Sequence, residues 1–304
     1  MDIFVKSETG RLREVVLGLP DSNGPVPKLR ETFDAKSYES VLKGIYPKQE
    51  DITREMNAFE AVLLKYGVKV YRPELVKNCN QIFARDVGFV IDDKIIVSNV
   101  IPDRQDEIDA YDPIYRQIHY KQIYNLPEAV HVEGGDVVLY NGVVFVGQYA
   151  FEDYPDVKTA RTNRLALDYL RMIFPSKTII PLNLRKSDTD PYEGILHLDC
   201  TFMPVGRDKC IIYKGGFLNP RDADHLVEMF GKDNVFEITR EEMYWMNSNI
   251  FSISEDVVVV EEHFTRLADH LRNVWGMTVE TVPYREISKM GGLLRCSTLP
   301  LRRD

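Results

Sequence analysis

Four stretches of this chain share one layout: an apolar run, a tight polar turn, and a second β-branched run. They read VGFVIDDKIIVSN, DVVLYNGVVFVG, TFMPVGRDKCIIYKG and NIFSISEDVVVVEE. Each predicts a β-hairpin, and Asn141-Gly142 is the strongest turn signal among them, because a two-residue hairpin turn needs residues that accept positive φ. Helix signals lie between the hairpins, each followed by a short strand. Met56, Phe59, Leu63 and Tyr66 recur at helical spacing, Gly67 stops the helix, and a strand resumes over Val68–Tyr71. RDADHLVEMFGKDNVFEI repeats this with Gly231, HFTRLADHLRNVWGMTVETVP with Gly276, and RTNRLALDYLRMIFPSKTIIPL with Pro175 as the stop. IDAYDPIYRQIHYKQIYNLPEAVHV is a weaker version. A glycine just past a helix relieves the left-handed cap, so the punctuation has a backbone cause.

Units of this kind bury their apolar faces against their neighbours. Five such units close only if the first strand, REVVLGLP, and the last, LLRCSTLP, share one of them. The expected fold is therefore α/β: a five-bladed, pseudo-symmetric ring of repeated ββαβ units with both chain ends in one blade, a single domain over residues 1–304. An ordinary α/β sandwich is the alternative. The 18–40 loop is polar, carries three prolines and reads as a flap.

Composition narrows the partners. The chain has 304 residues, 44% of them hydrophobic, enough for a real core. Its formal net charge of -9 argues against a nucleic-acid binder of the common basic kind. Cys79, Cys200, Cys210 and Cys296 form no CxxC and fit no zinc spacing. MDIFVKSETGRLREVV is too polar for a signal peptide, and no apolar run is long enough to cross a bilayer. These features predict a soluble cytoplasmic protein with free thiols, no metal and no cofactor.

The polar residues concentrate where each helix-strand element meets the next hairpin. The first joint, NQIFARD, holds Asp86; the second, VEGGD, holds Glu133 and Asp136; the third, GILHLDCTF, holds His197 and Asp199. The fourth, MYWMNSN, holds Asn247 and Asn249, and the fifth, GGLLRCS, holds Cys296. In a ring, equivalent joints face one axis, so these residues are expected to converge. Alone, each has a plainer reading. Asp86 beside Arg85 is a surface ion pair, EGGD is a turn into a hairpin, and His197 with Asp199 is a core pair on one face of a strand. Cys296 is a small buried hydrophobe, as Cys79, Cys200 and Cys210 are taken to be. The shared position favours the functional reading.

A thiol, an imidazole and several carboxylates make an odd set for an amide hydrolase, since extra acids raise a thiol pKa. They suit a cationic substrate. A guanidinium is planar, presents five donors in a fixed fork and matches paired carboxylates. Cys296 would attack its central carbon, Asp86 with Glu133 or Asp199 would hold its nitrogens, and His197 would protonate the leaving amine. Water as second acceptor makes a hydrolase; an amine makes an amidinotransferase.

FARD, VEGGD, HLDCTF and RCSTLPL occur in an order that resembles the guanidino-group modifying enzymes, the superfamily of arginine deiminases, dimethylarginine dimethylaminohydrolases and amidinotransferases. The resemblance spans essentially the whole chain and implies the pentein fold. It also implies Cys296 as nucleophile, His197 as acid/base, and Glu133 and Asp199 as the acids beside them. Asp86 would grip the guanidinium; Asp136 belongs to the same EGGD motif. ARTN resembles the stretch whose arginine binds the substrate carboxylate, which points to Arg161, and Arg104 matches a second such arginine. The implied partner is a small guanidino substrate, with neither nucleic acid nor membrane, and a homodimer is left open. HLDCTF and the trailing LRRD resemble amidinotransferases as well, whereas VEGGD and STLPL resemble the hydrolases. The expectation is a hydrolase, with an amidinotransferase as second reading and an inactive binding pentein as third.

Overall fold

Fifteen strands form five three-stranded sheets, and every sheet has the same internal order. In the computed structural model, which describes residues 1–304, the strands are β1 (Leu12–Leu17), β2 (Lys69–Tyr71), β3 (Gly88–Ile91), β4 (Lys94–Val97) and β5 (Ile123–Asn125). They continue as β6 (Val137–Tyr140), β7 (Val143–Gln148), β8 (Thr178–Asn183), β9 (Phe202–Val205) and β10 (Lys209–Ile212). The last five are β11 (Val235–Glu237), β12 (Phe251–Ser252), β13 (Val257–Glu261), β14 (Thr278–Val282) and β15 (Thr298–Arg303). Four sheets consist of an antiparallel hairpin whose second strand also takes a parallel partner: β3-β4-β5, β6-β7-β8, β9-β10-β11 and β12-β13-β14. The fifth is assembled from the two chain ends. β15 pairs antiparallel with β1, Val15 opposite Pro300 and Leu17 opposite Thr298, and β1 pairs parallel with β2. The five-bladed arrangement expected from the repeat is the fold, and it is the pentein fold that the resemblance implies.

Local chemistry explains the elements. Asn141 and Gly142 both have positive φ, 44° and 78°, so the β6–β7 turn is of the kind that matches strand twist. The helix Gln49–Lys65 buries Ile52, Met56, Phe59 and Leu63 and ends before Gly67 at φ 72°. Parallel third strands require a crossover, and the helices Arg164–Ile173, Pro220–Phe230 and Thr265–Asn273 supply it. The weak second signal is two short helices, Gln105–Asp109 and Asp112–Tyr115. The parallel crossovers lay helices against the sheets, and the central strands are buried on both faces. Their runs, such as Ile95–Val97 and Val258–Val260, are buried throughout.

The 18–40 segment has more structure than an irregular loop. It contains a single 3-10 turn, Leu29–Glu31, and runs into the helix Ala35–Leu42, which Asp34 caps through Ser37 N at 2.8 Å. No helix is long and apolar enough to cross a membrane.

Candidate active site

The joints between blades are tied to each other through the backbone. Arg85 N donates to Cys296 O at 2.9 Å, which joins the first site to the fifth. Leu198 N donates to Asp136 Oδ1 at 2.9 Å, and Thr162 Oγ1 donates to Asp136 Oδ2 at 2.7 Å. Asp136 is thus spent on holding the second joint against the third. Ser248 Oγ donates to Asp199 O at 2.9 Å, linking the third joint to the fourth. The glycines of VEGGD allow these approaches: a Cβ on Gly134 would lie 2.2 Å from Arg85 O, and one on Gly135 would lie 2.6 Å from the His197 ring. Neither has positive φ, so close approach, and no special turn angle, is what demands glycine there.

Two linked groups of side chains result. In the first, His197 Nε2 meets Glu133 Oε2 at 2.8 Å, and His197 Nδ1 faces Asp86 Oδ1 at 3.7 Å. Asp86 Oδ1 and His197 Nδ1 are buried and have no hydrogen-bond partner. In the second, Asn249 Nδ2 donates to the Cys296 sulfur at 3.1 Å, and Asn249 Oδ1 accepts from the backbone N–H groups of Arg295 (3.0 Å) and Cys296 (3.2 Å). Cys296 Sγ lies 3.7 Å from Asp199 Oδ2.

The plainer alternative for His197 and Asp199 is a core pair on one face of a strand. The structure excludes it: Leu198–Cys200 is a 3-10 turn, not strand, and the two side chains diverge. His197 turns to Glu133, while Asp199 turns to Arg295 at 2.8 Å and to the thiol. Asp86 is no surface ion pair with Arg85. It is 3% exposed, and its partner is Arg104, at 2.7 Å. Cys200 and Cys210 are buried as expected, but Cys79 is only half-buried.

Both candidate carboxylate-binding arginines are engaged with the protein's own acids. Arg104 reaches Asp86 with Nη1 and grips Glu107 with Nε and Nη2 at 2.7 and 2.8 Å. Arg161 Nη1 bridges both oxygens of Glu133 at 3.1 and 3.0 Å, and its Nη2 donates to Phe33 O at 2.6 Å. That last contact fastens the 18–40 segment over the site. Ser40 Oγ donating to Lys289 O and Lys36 Nζ, 3.4 Å above the Tyr244 ring, fasten it further. The segment also lines a small, half-open pocket with Thr159, Cys200, Tyr244 and Gly291, to which it contributes Asp34 and Lys36.

The electrostatics follow from these contacts. Burial pushes the Cys296 thiol up, and Asp199, Cys200 and Asp86 push it further, so the resting sulfur is protonated. Burial opposes charge on His197, but Asp86 and Glu133 outweigh it and the imidazole pKa is raised. Burial likewise works against the Glu133 carboxylate. Arg161, His197 and Arg104 overcome it and hold the group at about 2. Asp86, Glu133 and His197 each place one ligand atom within 4.8 Å of the others. Arginines already neutralise the two carboxylates, so the group is suited to proton handling and not to caging a metal.

Sequence reasoning missed four side chains: Glu8, Glu107, Arg295 and the use made of Asn249. Asn249 stood at an expected joint, so position could have flagged it. Glu107 follows Arg104 by three residues, a helical spacing that pairs charges. Glu8 and Arg295 are far apart in sequence, and nothing local joins them.

Residues 34–303 match the family model described as N,N dimethylarginine dimethylhydrolase, eukaryotic. An uncharacterized protein of Bacillus subtilis (strain 168), YkgA, is 26% identical over 301 residues, which is 98% of this chain and 94% of that protein. Among solved structures, the amidinotransferase SxtG of the Microseira wollei saxitoxin pathway is 18% identical with a TM-score of 0.77, covering 99% of this chain and 97% of that one. The N-terminal domain of ArgZ, a cyanobacterial arginine dihydrolase, is 17% identical with a TM-score of 0.76, covering 95% and 97%. The inosamine-phosphate amidinotransferase StrB1 of Streptomyces griseus is 17% identical with a TM-score of 0.75, covering 99% and 97%.

Proposed function

From the premise that this chain belongs to the eukaryotic N,N dimethylarginine dimethylhydrolase family, we propose that it hydrolyses the guanidino group of an arginine-type substrate through a covalent Cys296 intermediate. The observation that carries this reading is the pair of orphaned buried atoms, Asp86 Oδ1 and His197 Nδ1, facing one another at 3.7 Å. Buried polar atoms are normally satisfied, so the free Asp86 oxygen suits a ligand that brings N–H groups, and the free His197 nitrogen is left to pass a proton to that ligand.

The resting site is self-paired: Arg104 sits on Asp86 and Arg161 on Glu133. A zwitterionic substrate can exchange these pairs. Its guanidinium takes Asp86 and Glu133, next to Asp199, and its carboxylate takes the arginines those two acids release, Arg104 and Arg161. A guanidinium without a carboxylate would leave a buried arginine unpaired, which is costly. This favours arginine or methylated arginine over agmatine.

Cation binding then activates the thiol. The acids that hold the sulfur protonated are neutralised by the guanidinium, so the thiol pKa falls and its proton leaves to water. The thiolate attacks the guanidinium carbon. His197, kept protonated by Glu133, donates to the departing nitrogen, and ammonia or an alkylamine leaves. The amidino group remains on sulfur as a thioether. Neutral His197 next accepts a proton from water as it attacks. Collapse expels the thiolate and gives a ureido product. Asp136 is a support in this scheme, not a contact of the substrate.

The test is incubation with arginine, methylarginines and agmatine, with and without glycine, reading ureido product, released amine and guanidinoacetate. Ureido product without glycine, favouring carboxylate-bearing substrates, is the expected result. Guanidinoacetate appearing only with glycine would replace hydrolysis by amidino transfer. No turnover of any compound would leave a binding pentein.

A further inference from the structure

The residues leading into β1, with its first residue Leu12, do more than enter the fold. Phe4 N donates to Leu301 O at 2.9 Å, Val5 and Asp92 exchange backbone bonds at 2.9 and 2.7 Å, Glu8 N donates to Leu139 O at 3.2 Å, and Leu12 N donates to Ile253 O at 2.8 Å. The segment therefore touches four of the five blades. From it, Glu8 reaches inward and is 7% exposed. Its oxygens accept from Arg295 Nε at 3.2 Å and Nη2 at 2.9 Å, while Arg295 Nη1 donates to Asp199 Oδ2 at 2.8 Å. The same Asp199 oxygen lies 3.7 Å from the sulfur of Cys296. Four groups thus form one line, from the start of the chain to the thiol.

We propose that Glu8 is a positioning residue for the thiol site: through Arg295 it holds Asp199 against Cys296 and shares the charge of Arg295 with it. This rests on the reading of Cys296 as the nucleophile. The surroundings give the arrangement its force. Three buried arginines, Arg85, Arg295 and Arg303, face Glu8. Of these, Arg295 alone pairs with carboxylates, Glu8 and Asp199; Arg85 and Arg303 bond only backbone oxygens and Thr298 Oγ1. Desolvation and the neighbouring arginine press Arg85 down to about 9. Glu8 is held ionised, at about 2, since Arg295, Arg85 and Arg303 together overcome its burial. Around the sulfur stand Asp199 and Cys200 from the 198–200 turn, Asp86 from the helix Ala84–Val87, and Tyr284. With Glu8 neutral, Arg295 would turn its full charge on Asp199 and the thiol. The thiolate would then form more easily, and Asp199 would have less negative charge to offer a guanidinium.

The experiment is substrate-free alkylation of the full-length protein by iodoacetamide across pH, followed at the peptide bearing Cys296. The rate reports the thiolate fraction. In the wild type the midpoint is expected above that of free cysteine, about 8.5. Glu8→Gln, folded by circular dichroism, is expected to lower it by about one pH unit, which is about tenfold faster alkylation below both midpoints. Glu8→Asp, which withdraws the carboxylate from Arg295 but keeps its charge, is expected to lower it by a smaller step and serves if the Gln variant does not fold. A wild-type midpoint below that of free cysteine overturns the proposal, as does an unmoved or raised midpoint in a folded variant. The readout needs no turnover. A profile that moves in a protein consuming no guanidino compound upholds the charge line and removes the hydrolase. Normal hydrolysis with a profile that does not move does the reverse.

Discussion

Glu133→Gln isolates the group on which proton handling depends. The substitution preserves shape and removes one charge. Glu133 accepts from His197 at 2.8 Å and holds Arg161 at 3.0 Å, with Arg104 at 3.8 Å. A hydrogen bond to a charged partner contributes roughly 1.5–3 kcal/mol, and one pKa unit is about 1.4 kcal/mol. Loss of that bond should lower the raised His197 pKa by about one to two units. The two arginines, no longer offset, act in the same direction. If protonated His197 supplies the leaving-group proton, the alkaline limb of the rate profile moves down by that amount. At a pH above both limbs, the rate falls by about tenfold to a hundredfold, and between them by less. The sign for stability is the same. His197 has a folded pKa above its unfolded value near 6.5, so its pairing stabilises fully below that pH and fades as pH rises through the folded value. Losing one partner of a buried charge network costs about 3–5 kcal/mol, which urea unfolding at pH 7 would read. The assay is initial-rate formation of ureido product from pH 5.5 to 9, with folding verified at each pH. A folded Glu133→Gln protein whose alkaline limb coincides with the wild type refutes the assignment of His197 and Glu133 as the acid unit.

Three further outcomes are expected. Arg161→Gln should raise KM for arginine about tenfold to a hundredfold while changing agmatine turnover far less; equal losses on both substrates would mean that Arg161 does not meet a carboxylate. Gly135→Ala should lower activity at least about tenfold, since its Cβ would lie 2.6 Å from the His197 ring and displace it; wild-type kcat with an unchanged unfolding midpoint would contradict the need for close approach there. In acid, Glu8 and Glu133, both held at about 2, contribute stability above their unfolded value near 4.5 that is lost as pH falls through about 2. Each term is on the order of 3 kcal/mol, so the urea midpoint should drop between pH 4.5 and 2, and a flat profile over that range would contradict the pairing.

The fold was legible because its signals are local. A hairpin needs two β-branched runs and a turn, and Asn141-Gly142 announces its own geometry. Helix ends carry Gly67, Gly231 and Gly276. Repetition of these cues then forces β1 beside β15. The candidate site was legible only as a set of positions: equivalent joints of a ring face one axis, so Asp86, Glu133, His197 and Cys296 were named without contacts. Pairing was not legible. Alternation along HLD would place His197 and Asp199 on one strand face, but a 3-10 turn lies there and sends them to different partners. The self-paired arginines depend on three-dimensional reach, as with Arg161 spanning from Glu133 to Phe33 O. Glu8 and Arg295 are separated by nearly the whole chain, and no period or motif connects a residue before β1 to one before β15.

The central claim is a bond between sulfur and the substrate's guanidinium carbon. The direct measurement is acid quenching of the protein during turnover of arginine or a methylarginine, with mass analysis of the intact chain and of the peptide bearing Cys296. The account predicts an amidino adduct on that peptide, lost in Cys296→Ala together with all ureido product. Product formed at full rate without Cys296, or an adduct carried by another residue, would contradict it.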